Sequence, residues 1–177
     1  MEEIELTYLV KVLPPGLKNA PKKEMLDIYI PASAEHPTLR IRNIGDRCEI
    51  TKKEPIHGND SSYQLETTIP LTAQEFSDFE KLPGKRVRKT RFYYQESGTK
   101  YEVDVFRENL AGLVLADIEF DSLEKKSKFQ PPAWCLAEVT QEKFLAGGML
   151  CGKQYADVEA QLKKFGYEKL IVETEGM

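Results

Sequence analysis

Acidic and basic side chains recur two residues apart along this chain, and like sign goes with like. Glu3 and Glu5 are separated by one apolar residue, as are Arg40 and Arg42, Glu102 and Asp104, and Glu119 and Asp121. Lys89 and Arg91 keep the same spacing, Lys53 follows Thr51, and Glu66 and Glu138 stand singly in β-branched surroundings. Grouped carboxylates are the hard oxygen ligands that divalent cations take. Guanidinium forks and ammonium groups suit phosphate oxygens. Together these residue types could carry out metal-assisted phosphoryl chemistry. No Gly-rich phosphate loop or Walker motif is present.

Side chains at i and i+2 share a face of a β-strand. Each doublet then gives its strand one charged face, with apolar residues such as Ile4, Leu6 and Tyr8 on the other. Strands are expected near 2–12, 25–30, 38–43, 47–54, 62–69, 85–96, 99–108 and 111–121, with a short last one near 134–140. Turn signals separate them, among them Pro14-Pro15-Gly16, Gly45-Asp46 and the tight hairpin signal Ser97-Gly98. Helices are minor. A capping box at Thr72 and Glu75 opens one to about Leu82, a second runs from about Tyr155 to Lys164 before Gly166, and a single turn can follow Asp121. About eight strands with short connections point to a meander or an antiparallel barrel, which removes unpaired edges.

Like charges two apart on a strand repel, and Glu, Asp and Lys are poor strand formers. From alternation alone, a half-buried sheet with its charged face in water is the better explanation, since single-sided antiparallel sheets are common. Closing the sheet with the charged faces inward would set acidic strands against basic ones, with metal and phosphate between them.

The chain has 177 residues, 41% hydrophobic and 31% charged, which suits one soluble domain. With 25 Lys and Arg against 29 Asp and Glu, the net charge of −4 argues against a general nucleic-acid binder. No run approaches the ~20 apolar residues of a membrane helix. The acidic N-terminus lacks a basic n-region, so no signal peptide is expected. Cys48, Cys135 and Cys151 show no metal or disulfide spacing, and read as incidental thiols in a reducing cytoplasm.

The order of the doublets resembles the CYTH superfamily, the triphosphate tunnel metalloenzymes, from Glu3 to about Gly152. Its opening E-x-E-x-K motif is matched by Glu3-Ile4-Glu5-Leu6-Thr7 except at the last position. There follow Arg40-Ile41-Arg42, Thr51-x-Lys53, Glu66 in ETTIP, Lys89-x-Arg91, the run YEVDVFRENLAGLVLADIEF, and FQPPAWCLAEVT. The last two blocks are similar to the bacterial, inorganic triphosphatase-like branch. The resemblance implies an eight-stranded antiparallel tunnel within a single domain spanning 1–177, with a short helical C-terminal extension from about 153. It implies hydrolysis of a triphosphate, most simply inorganic tripolyphosphate, with Mg²⁺ or Mn²⁺. Arg40, Arg42, Lys53, Lys89 and Arg91 would bind phosphate. Glu3, Glu5, Glu66, Asp104, Glu119 and Glu138 would hold or orient metal, and Glu5 or Glu138 would orient the attacking water. Glu102 and Asp121 share strand faces with motif residues.

The implied partner is a triphosphate-bearing small molecule, tripolyphosphate or a nucleoside triphosphate, with neither nucleic acid nor membrane, in a monomer or homodimer. Adenylate cyclase and thiamine triphosphatase activity belong to the same superfamily. A non-catalytic triphosphate-binding module is the alternative from another class, because Thr7 replaces the motif lysine. That replacement leads to the expectation that binding survives, that turnover falls, and that Thr7→Lys would raise it. Tyr93, Tyr94 and Trp134 could stack on a base, although aromatic residues in strands more often pack. His36 and His57 read as loop histidines.

Overall fold

The structure, a computed structural model, describes residues 1–172. Nine strands are formed: β1 (Glu2–Val10), β2 (Lys22–Ile30), β3 (Leu39–Ile44), β4 (Arg47–Pro55), β5 (Tyr63–Leu71), β6 (Lys85–Glu96), β7 (Thr99–Phe106), β8 (Val114–Glu119) and β9 (Cys135–Glu138). Among the described residues four short helices accompany these strands: α1 (Ala73–Phe79), α2 (Leu123–Lys128), α3 (Gly147–Leu150) and α4 (Tyr155–Lys163).

All pairings are antiparallel, in the order β5-β4-β3-β2-β6-β7-β8-β1, and the start of β1 returns to β5 to close an eight-stranded barrel. β5 reaches only Glu2–Ile4 of β1, and β9 takes up the same edge from Tyr8 to Val10. The β6–β7 hairpin turns where the sequence signals it, with Ser97 at φ 51° and Gly98 at φ 81°, the left-handed pair that a two-residue hairpin requires.

The outer face is covered in two places. α1, opened by the expected Thr72–Glu75 capping box, lays Phe76 over Leu26, Ile28, Ile41 and Cys48. Tyr8, Phe92, Tyr101 and Trp134 form an aromatic cluster outside β1, β6 and β7. Inside, the strands turn apolar toward one end. Leu9, Tyr29, Val87, Phe106 and Leu115 pack there against Val139, Leu145 and Leu150, with Val158 and Leu162 of α4 behind. Residues after β9 therefore form an apolar stopper, and among the described residues the expected C-terminal helical part belongs to this core.

Several boundaries differ from expectation. β8 starts at Val114 rather than 111, because Glu108–Leu110 form a 3-10 turn and Gly112 sits at φ 102°. β2 begins three residues early, at Lys22, where Phe92 of β6 offers it a partner. The turn after Asp121 extends into α2, capped by the Ser122 side chain. α3, with the sequence GGML, had no sequence signal.

Candidate active site

The alternation places one charged residue after another on the inner wall of a cavity of about 560 Å³. β1 contributes Glu3, Glu5 and Thr7; β3 contributes Arg40 and Arg42; β4, Lys53; β5, Glu66; β6, Lys89 and Arg91; β7, Glu102 and Asp104; β8, Asp117 and Glu119. Every expected site residue except Glu138 thus lines one cavity.

Glu138 is a correction in placement. β9 pairs Glu138 with Tyr8, whose ring lies in the outer aromatic cluster, so this carboxylate is turned outward as well. It is exposed and borders a shallow outer depression with Asp60, Ser62 and Lys126. Asp121 also lies outside, paired with Lys125. Trp134 is buried in the outer cluster, its indole N–H donating to Glu96 at 2.8 Å, and lies away from the cavity.

The charges inside are paired in layers. Arg42 donates to Asp27 through Nε and Nη2, at 2.5 and 2.7 Å, with both residues buried. Arg91 grips Asp104 through two bonds of 2.7 Å and also pairs with Glu102, while Lys89 donates to Asp104 Oδ2 as well. Lys53 pairs with Glu3 and stands 3.5 Å from both Glu5 and Glu66. Among the cations of the sequence motifs, Arg40 is the least engaged. Its nearest carboxylate, on Glu66, is 3.9 Å away, and its buried Nε has no acceptor.

These surroundings divide the acids. Burial raises Asp104, but the charges of Arg91 and Lys89 outweigh it and hold this carboxyl down at about 2. Burial also acts on Glu66, where the Thr68 hydroxyl and the charges of Lys53 and Arg40 bring the net shift below the usual range. At Glu5 burial wins over Lys53, helped by the charges of Asp117 and Glu3, and the carboxyl is raised to about 7. Glu119 is raised too, by burial and then by Glu102 and Glu3.

Three inward acids carried no clear sequence signal. Asp27 and Glu49 have no acid two residues away, and Asp117 was passed over although it shares its face with Glu119. The lining holds ten carboxylates against seven Lys and Arg side chains. Glu3 Oε2 is buried facing the Lys53 ammonium, yet no well-formed hydrogen bond satisfies it. An excess of hard oxygen donors suits a divalent cation. No three of them stand together as a ready-made metal cluster among the described residues. Lys53 and Arg91 lie between the carboxylates of β1, β5, β7 and β8.

No protein-family model matches the chain. An inorganic triphosphatase of Nitrosomonas europaea is 33% identical over 145 residues, covering 81% of this chain and 92% of that protein. A solved inorganic triphosphatase structure is 27% identical, with a TM-score of 0.62, covering 85% of this chain and 95% of that one. A solved protein of Bacillus halodurans, 14% identical with a TM-score of 0.51, shares the fold over 98% of this chain and 96% of its own. With the charged barrel interior and this degree of identity together, the chain belongs to the CYTH superfamily of triphosphate tunnel proteins, in its bacterial inorganic triphosphatase-like branch.

Proposed function

We propose that this chain hydrolyses inorganic tripolyphosphate with the help of a divalent cation, Mg²⁺ or Mn²⁺, inside the barrel. The observation that carries the reading is the charge balance of the cavity. Its cations are of the kinds that bind phosphate, but carboxylates outnumber them ten to seven. A polyanion cannot enter such a space unless further positive charge comes with it. The name of the Nitrosomonas europaea relative supports the same substrate for this chain. The six-membered aromatic rings of the lining, Tyr29 and Phe106, are packed into the core rather than free to stack on a base or a thiazole.

Glu3, Glu5 and Glu119, with Glu66 nearby, would hold the cation. Asp104 serves instead as the fixed counter-charge that aims Lys89 and Arg91. When bound, the metal would neutralise charge on the phosphate chain and polarise the phosphorus under attack. Arg40, with an unsatisfied Nε, is the cation readiest to take a phosphate oxygen. Arg42 and Arg91 are held in place by their bidentate carboxylates, so they meet the developing charge without reorganising. Glu5, on the cavity wall beside Lys53, suits the role of orienting water and accepting its proton. The water oxygen bonds to the terminal phosphorus, the bond to the bridging oxygen breaks, and orthophosphate and diphosphate leave. Lys53, 3.5 Å from Glu5, stabilises that carboxylate once its proton has passed to solvent.

The three cysteines are unpaired, in keeping with a cytoplasmic setting, and we read the chain as one domain. No helix among the described residues is long and apolar enough to cross a membrane.

The test is phosphate release from tripolyphosphate, ATP and thiamine triphosphate with Mg²⁺, Mn²⁺ or excess chelator. Tripolyphosphate should be cleaved fastest, and only with metal. Undiminished release in chelator would sink the metal-assisted mechanism, and cyclic AMP formed from ATP would favour the cyclase. Binding without release by any metal would favour the non-catalytic module, to which Thr7 in place of the motif lysine points.

A further inference from the structure

We propose that Thr7 is a positioning residue: its hydroxyl fixes one oxygen of the Asp117 carboxylate, so that Arg91 keeps only a long contact with the other and the group stays available beside the carboxylates of β1 and β8 that would gather metal. The inference rests on the metal-dependent reading given above.

Thr7 and Asp117 face each other in register across β1 and β8, and both side chains line the cavity. The Thr7 hydroxyl donates to Asp117 Oδ1 at 2.7 Å. The Thr7 backbone is itself pinned. Its N–H donates to the Thr140 hydroxyl at 3.0 Å, and its carbonyl accepts from the Val139 N–H at 2.8 Å. The other carboxylate oxygen, Oδ2, is 3.5 Å from Nη2 of Arg91, a guanidinium already gripped twice by Asp104 and paired with Glu102. The threonine bond is therefore the shorter of the two that hold Asp117.

A hydroxyl bonded to a carboxylate orients it without cancelling its charge. If the hydroxyl is removed, the nearest remaining donor is Arg91. Asp117 would turn to it, tying up an anion that favours metal and a cation that favours phosphate. A lysine at position 7 would reach the same carboxylate from the opposite strand and neutralise it directly. The sequence expectation for Thr7→Lys then reverses: the change should slow hydrolysis.

The experiment is a calorimetric titration of Mn²⁺ alone into the metal-free protein and its variants, beside hydrolysis of tripolyphosphate against Mn²⁺ concentration. Asp117 lies two residues from Glu119 and diagonally across from Glu5, next to the carboxylates that would hold metal, and loss of a partner that orients a group beside such ligands costs about 10–100-fold in metal affinity. Thr7→Val, nearly the same shape, should lose that much, raise the Mn²⁺ needed for half-maximal rate, and keep its thermal midpoint in chelator. Thr7→Ser should bind Mn²⁺ as the parent does. Thr7→Lys should bind it as weakly as Thr7→Val, which supplies a second arm if the valine variant folds poorly. Added to Asp117→Asn, Thr7→Val should cost nothing more, because the two act as one unit. Unchanged Mn²⁺ affinity in Thr7→Val and Thr7→Lys, or additive losses in the double variant, would overturn the proposal while leaving the triphosphatase reading intact. If the affinities follow the expected order but no form cleaves tripolyphosphate, the positioning role stands and the triphosphatase reading falls.

Discussion

Glu5 is a carboxyl whose buried position opposes its own ionisation, and that has a sign. Its folded-state value, raised to about 7, lies above the ordinary carboxylate range, so the native protein keeps a proton that the unfolded chain releases. The stability this contributes is fully present at acid pH below about 4.5 and is lost as pH rises through about 7. Glu119, also raised, acts in the same sense. Burial, with Lys143 nearby, lowers His36, which acts in the opposite sense, so the informative quantity is a difference. In metal-free buffer between pH 5 and 8, the thermal midpoint of the parent should fall with pH relative to that of Glu5→Gln. Parallel curves would show that Glu5 ionises normally. The arginine doublet separates by the same reasoning. Arg42→Ala strands buried Asp27 and should cost about 3–5 kcal/mol of stability by denaturant titration as well as substrate affinity. Arg40→Ala, whose nearest carboxylate is 3.9 Å away, should lose affinity with little change in stability. Equal stability losses would refute this division of roles. The doublets were legible because i and i+2 share a strand face, and the inward direction follows once the barrel closes. Glu138 was not, because its facing depends on β9 pairing with Tyr8, which lies far away in sequence. Asp27 and Glu49 were hidden because neither has an acid two residues away on the same face to mark it.

At the scale of elements, the barrel depends on contacts that local patterns do not record. Hairpins such as β6–β7 could be read directly, since Ser97-Gly98 sits between two alternating runs. The closure could not: β5 covers only the first residues of β1, and β9 completes that edge from a segment more than a hundred residues away. The stopper is a similar case. Gly147 and Gly148 have no apolar pattern, and their value lies in what they allow nearby. A Cβ at Gly147 would meet the Tyr29 hydroxyl, whereas one at Gly148 would meet the backbone carbonyl of Pro37. A side-chain tip can shift more cheaply than a backbone carbonyl. Gly148→Ala should therefore be the worse substitution, forcing the connection between β2 and β3 away from α3 at a cost of about 1–3 kcal/mol. Gly147→Ala should cost less, and chemical denaturation of the two variants gives the comparison. The reverse order would mean that the Tyr29 hydroxyl, not the Pro37 carbonyl, fixes the stopper against the barrel.

For the molecule as a whole, the barrel wall keeps like charges together that would repel in an open sheet, and opposite strands neutralise most of them. The remainder is negative, ten carboxylates against seven cations, in a chain whose net charge is also −4. Such a cavity should attract a divalent cation first and a triphosphate only afterwards or together with it. Stability measures this order, because a ligand that binds only the folded state stabilises it by mass action. Mn²⁺ or Mg²⁺ alone should raise the thermal midpoint. Tripolyphosphate in excess chelator should raise it little, since its charge meets the uncompensated carboxylates. The two together should raise it most: at a hundredfold excess over Kd, about 2.7 kcal/mol, or roughly 5–10 °C for a chain of this size. Diphosphate with metal should give a smaller shift than tripolyphosphate, since a shorter chain engages fewer of Arg40, Lys53, Lys89 and Arg91. A full shift from tripolyphosphate in chelator would mean that the cations alone suffice, and that the carboxylate excess serves to hold Lys and Arg in place rather than to gather metal.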